Sequence, residues 1–391
     1  MQELMKKITL LLVCMPSSMM GALLASSLVY MFEAYPAHSE AVVTMMVTMP
    51  NLTIMIGLVL APVLIRKFSI KAVMLAGIVI FTLASIIPAW CETFYVMLLF
   101  RGISGVGCGM ILPLQSTFLA TYPAKQRASL MGLSASVGCL IAAVMVSVSG
   151  FVAAISWRYV FYLYLINVIP LILAVLFLPN CIDAEEPASQ VETIQAEAPK
   201  LMDYSRVLAL YYIFMLGMLF LSILSATLAP YLEYAQLGGS EESGLLLSVS
   251  ILGSVAAGLI MRQYIGYMKQ LALPVIFTGS AMGFVMLWLS SSLLVIGAAV
   301  FIIGAFTSLL ACLVNYELSC RLPLSVFTSA SAGTNFLTFV LQFAAPLLFQ
   351  VLLGSAAGGS FYVLYMSYAV IMAGFTIMAV ILPKMLLKEN K

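Results

Sequence analysis

The chain has 391 residues, 63% of them hydrophobic and only 8% charged, and its formal net charge is +2. Soluble domains carry about 25% charged residues, so a soluble globule is excluded, and so weak a basic balance gives no reason to expect a nucleic-acid partner. Seven cysteines without a Cys-x-x-Cys pair and a single histidine, His38, imply neither a disulfide framework nor a histidine-ligated metal site, and no metal or cofactor is expected.

Lys6-Lys7 ahead of an apolar run looks like the start of a secretory signal. The run continues from Ile8 to about Phe32, longer than the roughly 7–15 residues of a signal core, and reads as a retained first span. Further apolar segments of about 20 residues, the length that crosses a bilayer, follow at 42–65, 72–90, 94–120, 129–154 and 159–178. A second series lies at 207–231, 243–262, 271–290, 293–316, 326–353 and 361–383, which makes twelve. Between the two series, Asp183, Glu185, Glu186, Glu192, Glu197, Pro187 and Pro199 mark a solvated linker. The expected fold is all-α, a polytopic membrane protein of twelve helices in two six-helix bundles. The expected domains are 1–180, a cytoplasmic linker 181–205, and 206–391.

With the N-terminus inside, 15 of the 17 basic residues fall on inner segments; the other two are Arg158, outside, and Arg101, within a span. By the positive-inside rule both termini are expected in the cytoplasm, and the location is expected to be the cell membrane. The two series also resemble each other at an offset of about 200 residues. Glu33 corresponds to Glu233, Ser39-Glu40 to Ser240-Glu241, and Gly132 to Gly333. The basic turn from Arg66 to Lys71 has a counterpart from Arg262 to Lys269.

Arg101 stands out because a charge in hydrocarbon is costly and is a functional hypothesis by default. It is followed by Gly102, Gly105, Gly107 and Gly109, small residues that let another helix approach closely. Its counterpart at an offset of 200 is Phe301, so the arginine belongs to the first half alone.

Twelve spans, a central linker and a parallel six-plus-six repeat resemble the major facilitator superfamily of secondary transporters. Arg101, Ser104, Gly105, Gly107 and Gly109 match the family's fourth-span motif, with serine where glutamine is common. That resemblance implies a part in proton handling for Arg101; the alternative is an arginine that bonds carbonyls of a neighbouring span. Arg66, Lys67 and Lys71 occupy the family's gate loop between spans two and three, but Arg66 replaces its aspartate. In span five the drug–proton antiporter motif keeps its small residues from Gly138 to Ser147 and lacks its proline, while Trp157-Arg158-x-x-Phe161 resembles the turn that follows it in efflux members.

A proton step calls for a carboxylate, and Glu33, at the outer end of span one, is the candidate, with a Glu33–Arg101 pair as the hypothesis. Candidate pocket residues are Met19, Asn51, Gln115, Asn335 and Gln342, polarizable or polar side chains within spans. Asn335 and Gln342 lie seven apart, on one helix face. The expected function is proton-coupled efflux of small apolar or amphipathic compounds by alternating access, by a monomer whose other partner is the lipid bilayer. The alternative is a uniporter or importer of a small nutrient. No Gly-x-x-x-x-Gly-Lys-[Ser/Thr] loop is present to hydrolyse ATP. A membrane enzyme would need a clustered catalytic set, such as His-Glu-x-x-His, that the chain lacks. A non-transporting receptor would be expected to add a soluble domain, and the longest hydrophilic stretch is the linker.

Overall fold

A computed structural model describes residues 2–386 apart from 21, 26, 180–200, 239, 291 and 356–360. The described residues form helices and connecting turns, with no strand among them. Residues 181–200 of the expected linker lie outside the described residues, and the chain is helical again from Leu201.

The first apolar segment is broken into α1 (Gln2–Leu12), α2 (Met15–Met19), α3 (Ala22–Ala25) and α4 (Leu28–Ala34). Hydroxyls assist the breaks by bonding back to carbonyls: Ser17 and Ser18 both donate to the Cys14 carbonyl, at 2.8 and 3.0 Å, and Ser27 donates to that of Leu24. Longer helices follow: α5 (Glu40–Leu64), α6 (Ile70–Ile86), α7 (Phe94–Ala120) and α8 (Ala124–Ile155). The sixth segment opens as a 3₁₀ run, Trp157–Asn167, before α9 (Val168–Phe177).

The second series repeats the design. Its first segment is again broken, into α10 (Leu201–Met215), α11 (Gly217–Ser222) and α12 (Leu224–Tyr234). Next come α13 (Ser240–Met268), α14 (Ala272–Leu289), α15 (Leu293–Arg321), α16 (Leu324–Ser355) and α17 (Phe361–Leu386). Ten helical runs among the described residues are long and apolar enough to cross a membrane, one of them the 48-residue run Glu242–Leu289. At 1.5 Å per residue that run would be roughly 72 Å long, more than twice a hydrocarbon core of about 30 Å. It is interrupted at Lys269–Leu271, where Lys269 has φ 44°, so it makes two crossings. With the broken first segment this accounts for the twelve expected spans.

The chain packs as two compact units. The first comprises Met1–Tyr122, Val137–Glu186 and Leu324–Phe336; the second comprises Pro123–Ser136, Pro187–Pro323 and Leu337–Lys391. Inside the first, α5 and α7 meet backbone to backbone. A Cβ added at Gly105 would overlap the Pro50 carbonyl, one at Gly109 the Ile54 carbonyl, and one at Gly57 the Val106 carbonyl. Gly107 serves the opposite face of α7, where a Cβ would lie 2.6 Å from the Phe81 nitrogen of α6. Inside the second unit, α13 and α15 pack in the same manner, with Gly253 against the Phe301 carbonyl and Gly304 against that of Ser250.

Candidate functional site

Arg101 is fully buried in α7. Its Nε donates to the Met46 carbonyl at 2.9 Å, its Nη2 to the Met20 carbonyl at 2.6 Å, and its Nη1 to the Tyr164 hydroxyl at 3.3 Å. Each acceptor has a local cause. In α5 the residue four beyond Met46 is Pro50, which has no N–H, so the helix leaves the Met46 carbonyl without its ordinary donor. Met20 closes the five-residue α2, and the last carbonyls of a helix have no partner within it. Tyr164, also fully buried, donates to the Met19 and Met20 carbonyls at 3.3 and 3.2 Å. The arginine thus ties together α7, the break in the first segment, the proline kink of α5 and the 3₁₀ run.

No carboxylate takes part. Among the described residues the ion pairs are Lys6–Glu3 and Arg321–Glu317. Glu33 is exposed on α4, away from any ion pair with Arg101. Chemically, the guanidinium is held by charge-assisted bonds to neutral acceptors, stronger than neutral ones, and its charge is spread over carbonyl dipoles.

Other candidates also close helix ends. Gln115 is buried and donates through Nε2 to the Leu10 carbonyl at 2.9 Å, near the end of α1. Lys71 sends Nζ to the Val175 and Leu178 carbonyls, at 2.8 and 2.7 Å, and so caps α9 with a favourable charge at the helix C-terminus. Arg66 and Lys67 are exposed. Met19 is buried with its sulfur 3.9 Å from the Asn167 amide nitrogen. Asn51 is exposed, and Asn335 bonds back along its own helix to the Ser331 carbonyl at 2.7 Å. Of the four glycines, Gly105, Gly107 and Gly109 sit at backbone contacts, whereas a Cβ at Gly102 would meet Thr53 at an ordinary 3.5 Å. Just beyond α7, burial and the Glu3 carboxylate push the Tyr122 phenol up to about 12, under Lys7 and Lys6 at 5.6 and 6.0 Å from its ring.

The ligand-sized opening near the sequence candidates is in the second unit, a cavity of about 360 Å³ to which Gln342 contributes. Around it stand the hydroxyls of Ser222, Ser250, Ser254 and Thr307, with Leu221, Leu247 and Ile303 as apolar wall. Ser254 donates to the Ser250 and Gly304 carbonyls, and Thr307 to that of Ile303. Their protons are committed, so these hydroxyls face a solute as acceptors, while the Gln342 amide carries both donor and acceptor. Among the described residues no ionised side chain lines the cavity. Of its polar residues, Gln342 alone is among the sequence candidates; Ser250 and Ser254 lie four apart on one face of α13, a spacing that could have pointed to them. Among the described residues no three His, Cys, Asp or Glu converge as metal ligands.

The model of the family described as the Major Facilitator Superfamily matches residues 10–346. Among curated proteins, the uncharacterized MFS-type transporter YcnB of Bacillus subtilis is 37% identical over 120 residues, 30% of this chain and 25% of that one. The multidrug transporter protein MdtP of the same organism is 24% identical over 123 residues, 31% of this chain and 22% of that one. The chain thus spans about a quarter of the length of the curated relatives it matches. Among solved structures, the proton:xylose symporter XylE bound to 6-bromo-6-deoxy-D-glucose superposes with a TM-score of 0.72 at 17% identity, covering 96% of this chain and 95% of that one. The human organic anion transporter MFSD10 gives 0.69 at 14% identity, covering 97% and 95%.

Proposed function

The chain belongs to the Major Facilitator Superfamily, and from that premise we propose that it is a secondary active transporter, not an enzyme, that exports small, neutral, amphipathic compounds against a proton gradient. The observation that carries the substrate class is the cavity of Ser222, Ser250, Ser254, Thr307 and Gln342, which offers hydrogen bonds and apolar wall but no charge. A charged solute would lose its hydration there without gaining a counter-charge. The likeness to MdtP supports efflux, and that to XylE supports the proton as coupling ion.

The moving parts we propose are the six-helix bundles 1–180 and 206–391, both termini being cytoplasmic by the distribution of basic residues. Two stretches would change neighbours during the cycle. Residues 123–136 belong to the second compact unit and 324–336 to the first. Within those units Arg127 donates to the Ser319 carbonyl at 2.6 Å, Ser136 to that of Val255 at 2.7 Å, and the Thr117 and Thr328 hydroxyls lie 2.9 Å apart. In the proposed cycle these bonds would break and re-form.

The second reading, import of a small polar nutrient, is favoured by the same acceptor-rich hydroxyls. Purified protein in vesicles with an imposed pH gradient, offered a lipophilic cationic dye, a neutral dye and a panel of sugars, separates the two. Neutral-dye movement counter to the proton flow supports export; sugar movement with the proton flow supports import. Movement of the cationic dye alone would overturn the neutral-substrate assignment.

A further inference from the structure

A second cavity of about 690 Å³ lies in the second unit, away from the hydroxyl-lined one, and the proposed transport cycle makes no use of it. Its polar lining comes from Lys269, Gln270, Glu317, Arg321 and Tyr211. Glu317 Oε2 accepts from the Tyr211 hydroxyl and from Arg321 Nε, each at 3.0 Å. The Arg321 guanidinium also meets Tyr211, through a side-chain hydrogen bond and with its central carbon 5.9 Å from the ring. With one carboxylate against two cations, the lining carries an excess positive charge.

The rest of the lining is apolar, from Leu273, Pro274, Leu313, Ala379, Val380 and Pro383. Leu271, which also lines the cavity, is 59% exposed, and Ile377, one turn before Val380 on the same helix, is 61% exposed. Lys269 has φ 44°, a left-handed conformation that is unfavourable for a residue with a side chain. The buried Tyr264 hydroxyl holds the following strand of chain through the Ala272 carbonyl at 2.6 Å. Strain kept in place by its surroundings is a mark of a functional position.

We propose that this cavity is a regulatory site for an anionic phospholipid, with the phosphodiester head between Lys269 and Arg321 and an acyl chain along α17. Basic pockets between membrane helices near the surface take such head groups. A free phosphate shares the head-group chemistry but gains nothing from the apolar wall and the exposed apolar surface beyond it, so the lipid is the occupant that uses the whole cavity. Glu317 sets the affinity: its charge opposes the phosphate, and it keeps the site from binding irreversibly.

The test is native mass spectrometry of the full-length protein with phosphatidylglycerol and phosphatidylcholine of the same acyl chains. Phosphatidylglycerol is expected to be retained in preference to phosphatidylcholine, and Lys269→Gln and Arg321→Gln to lower its retention about fivefold each. Glu317→Gln should raise it, a gain that a misfolded variant would not produce. Lys125→Gln, an exposed lysine outside the cavity, should leave it unchanged. Equal retention of both lipids by all variants would reduce the lipid to an unspecific annulus and overturn the site. Displacement of phosphatidylglycerol by inorganic phosphate would overturn the lipid assignment in favour of a free anion.

Discussion

Replacing Arg101 by methionine tests what the buried charge does. The side chain makes three bonds, to the Met46 and Met20 carbonyls and the Tyr164 hydroxyl. Bonds from a charged donor contribute roughly 1.5–3 kcal/mol each, while removing the charge recovers a desolvation penalty of several kcal/mol. The net expectation is a loss of about 2–4 kcal/mol, part of it from the Met46 carbonyl, which is left without a donor, whereas the Met20 carbonyl keeps that of Tyr164. Arg101→Lys should fall between, because an ammonium is a point donor without the planar fork that reaches acceptors on separate helices. Pro50 gives the decisive control. If the Met46 carbonyl needs Arg101 because Pro50 has no N–H, then Pro50→Ala supplies the missing donor. In the Arg101→Met background it should recover about 1 kcal/mol more than it does in the wild type. Thermal unfolding of the four detergent-solubilised proteins gives the double-mutant cycle. A coupling below about 0.5 kcal/mol, the level of independent sites, would refute the link between the proline and the arginine. An Arg101→Met protein as stable as the wild type would refute the carbonyl-satisfying role altogether.

Three further expectations follow from the same geometry. Gly109→Ala places a methyl in the Ile54 carbonyl and should cost about 1–3 kcal/mol, whereas Gly102→Ala meets Thr53 at 3.5 Å and should be neutral; the two unfolding midpoints compare them directly. Lys71→Met removes the cap from the Val175 and Leu178 carbonyls and should cost about 1 kcal/mol, with faster hydrogen exchange confined to the last turn of α9. Ser254→Ala together with Gln342→Leu removes an acceptor and an amide from the cavity. This pair should weaken substrate binding roughly tenfold or more, at about 1 kcal/mol per lost bond, and lower stability by only about 1 kcal/mol through the lost Ser254–Gly304 bond; unaltered binding would place the substrate elsewhere.

The sequence by itself determined the class of the protein and the position of nearly every span, because both follow from local composition. A run of about 20 apolar residues crosses a bilayer wherever it stands in the chain, and backbone groups in hydrocarbon then have to close within a helix. The glycines after Arg101 were legible for the same reason, since close approach needs a missing side chain whatever the partner.

Only the tertiary structure decided what meets what. Arg101 finds acceptors 55 and 81 residues away in Met46 and Met20, and a backbone carbonyl carries no mark in the sequence. Glu33 offered the expected opposite charge, but it lies exposed on α4. The first and seventh segments read as continuous spans and fold as broken ones, because hydroxyls and neighbouring helices can satisfy carbonyls that their own helix leaves open. The hydroxyl-lined cavity brings together Ser222, Ser250, Thr307 and Gln342 from four helices. Each of these side chains is ordinary in its own span, and they become a site only when packing sets them around one space.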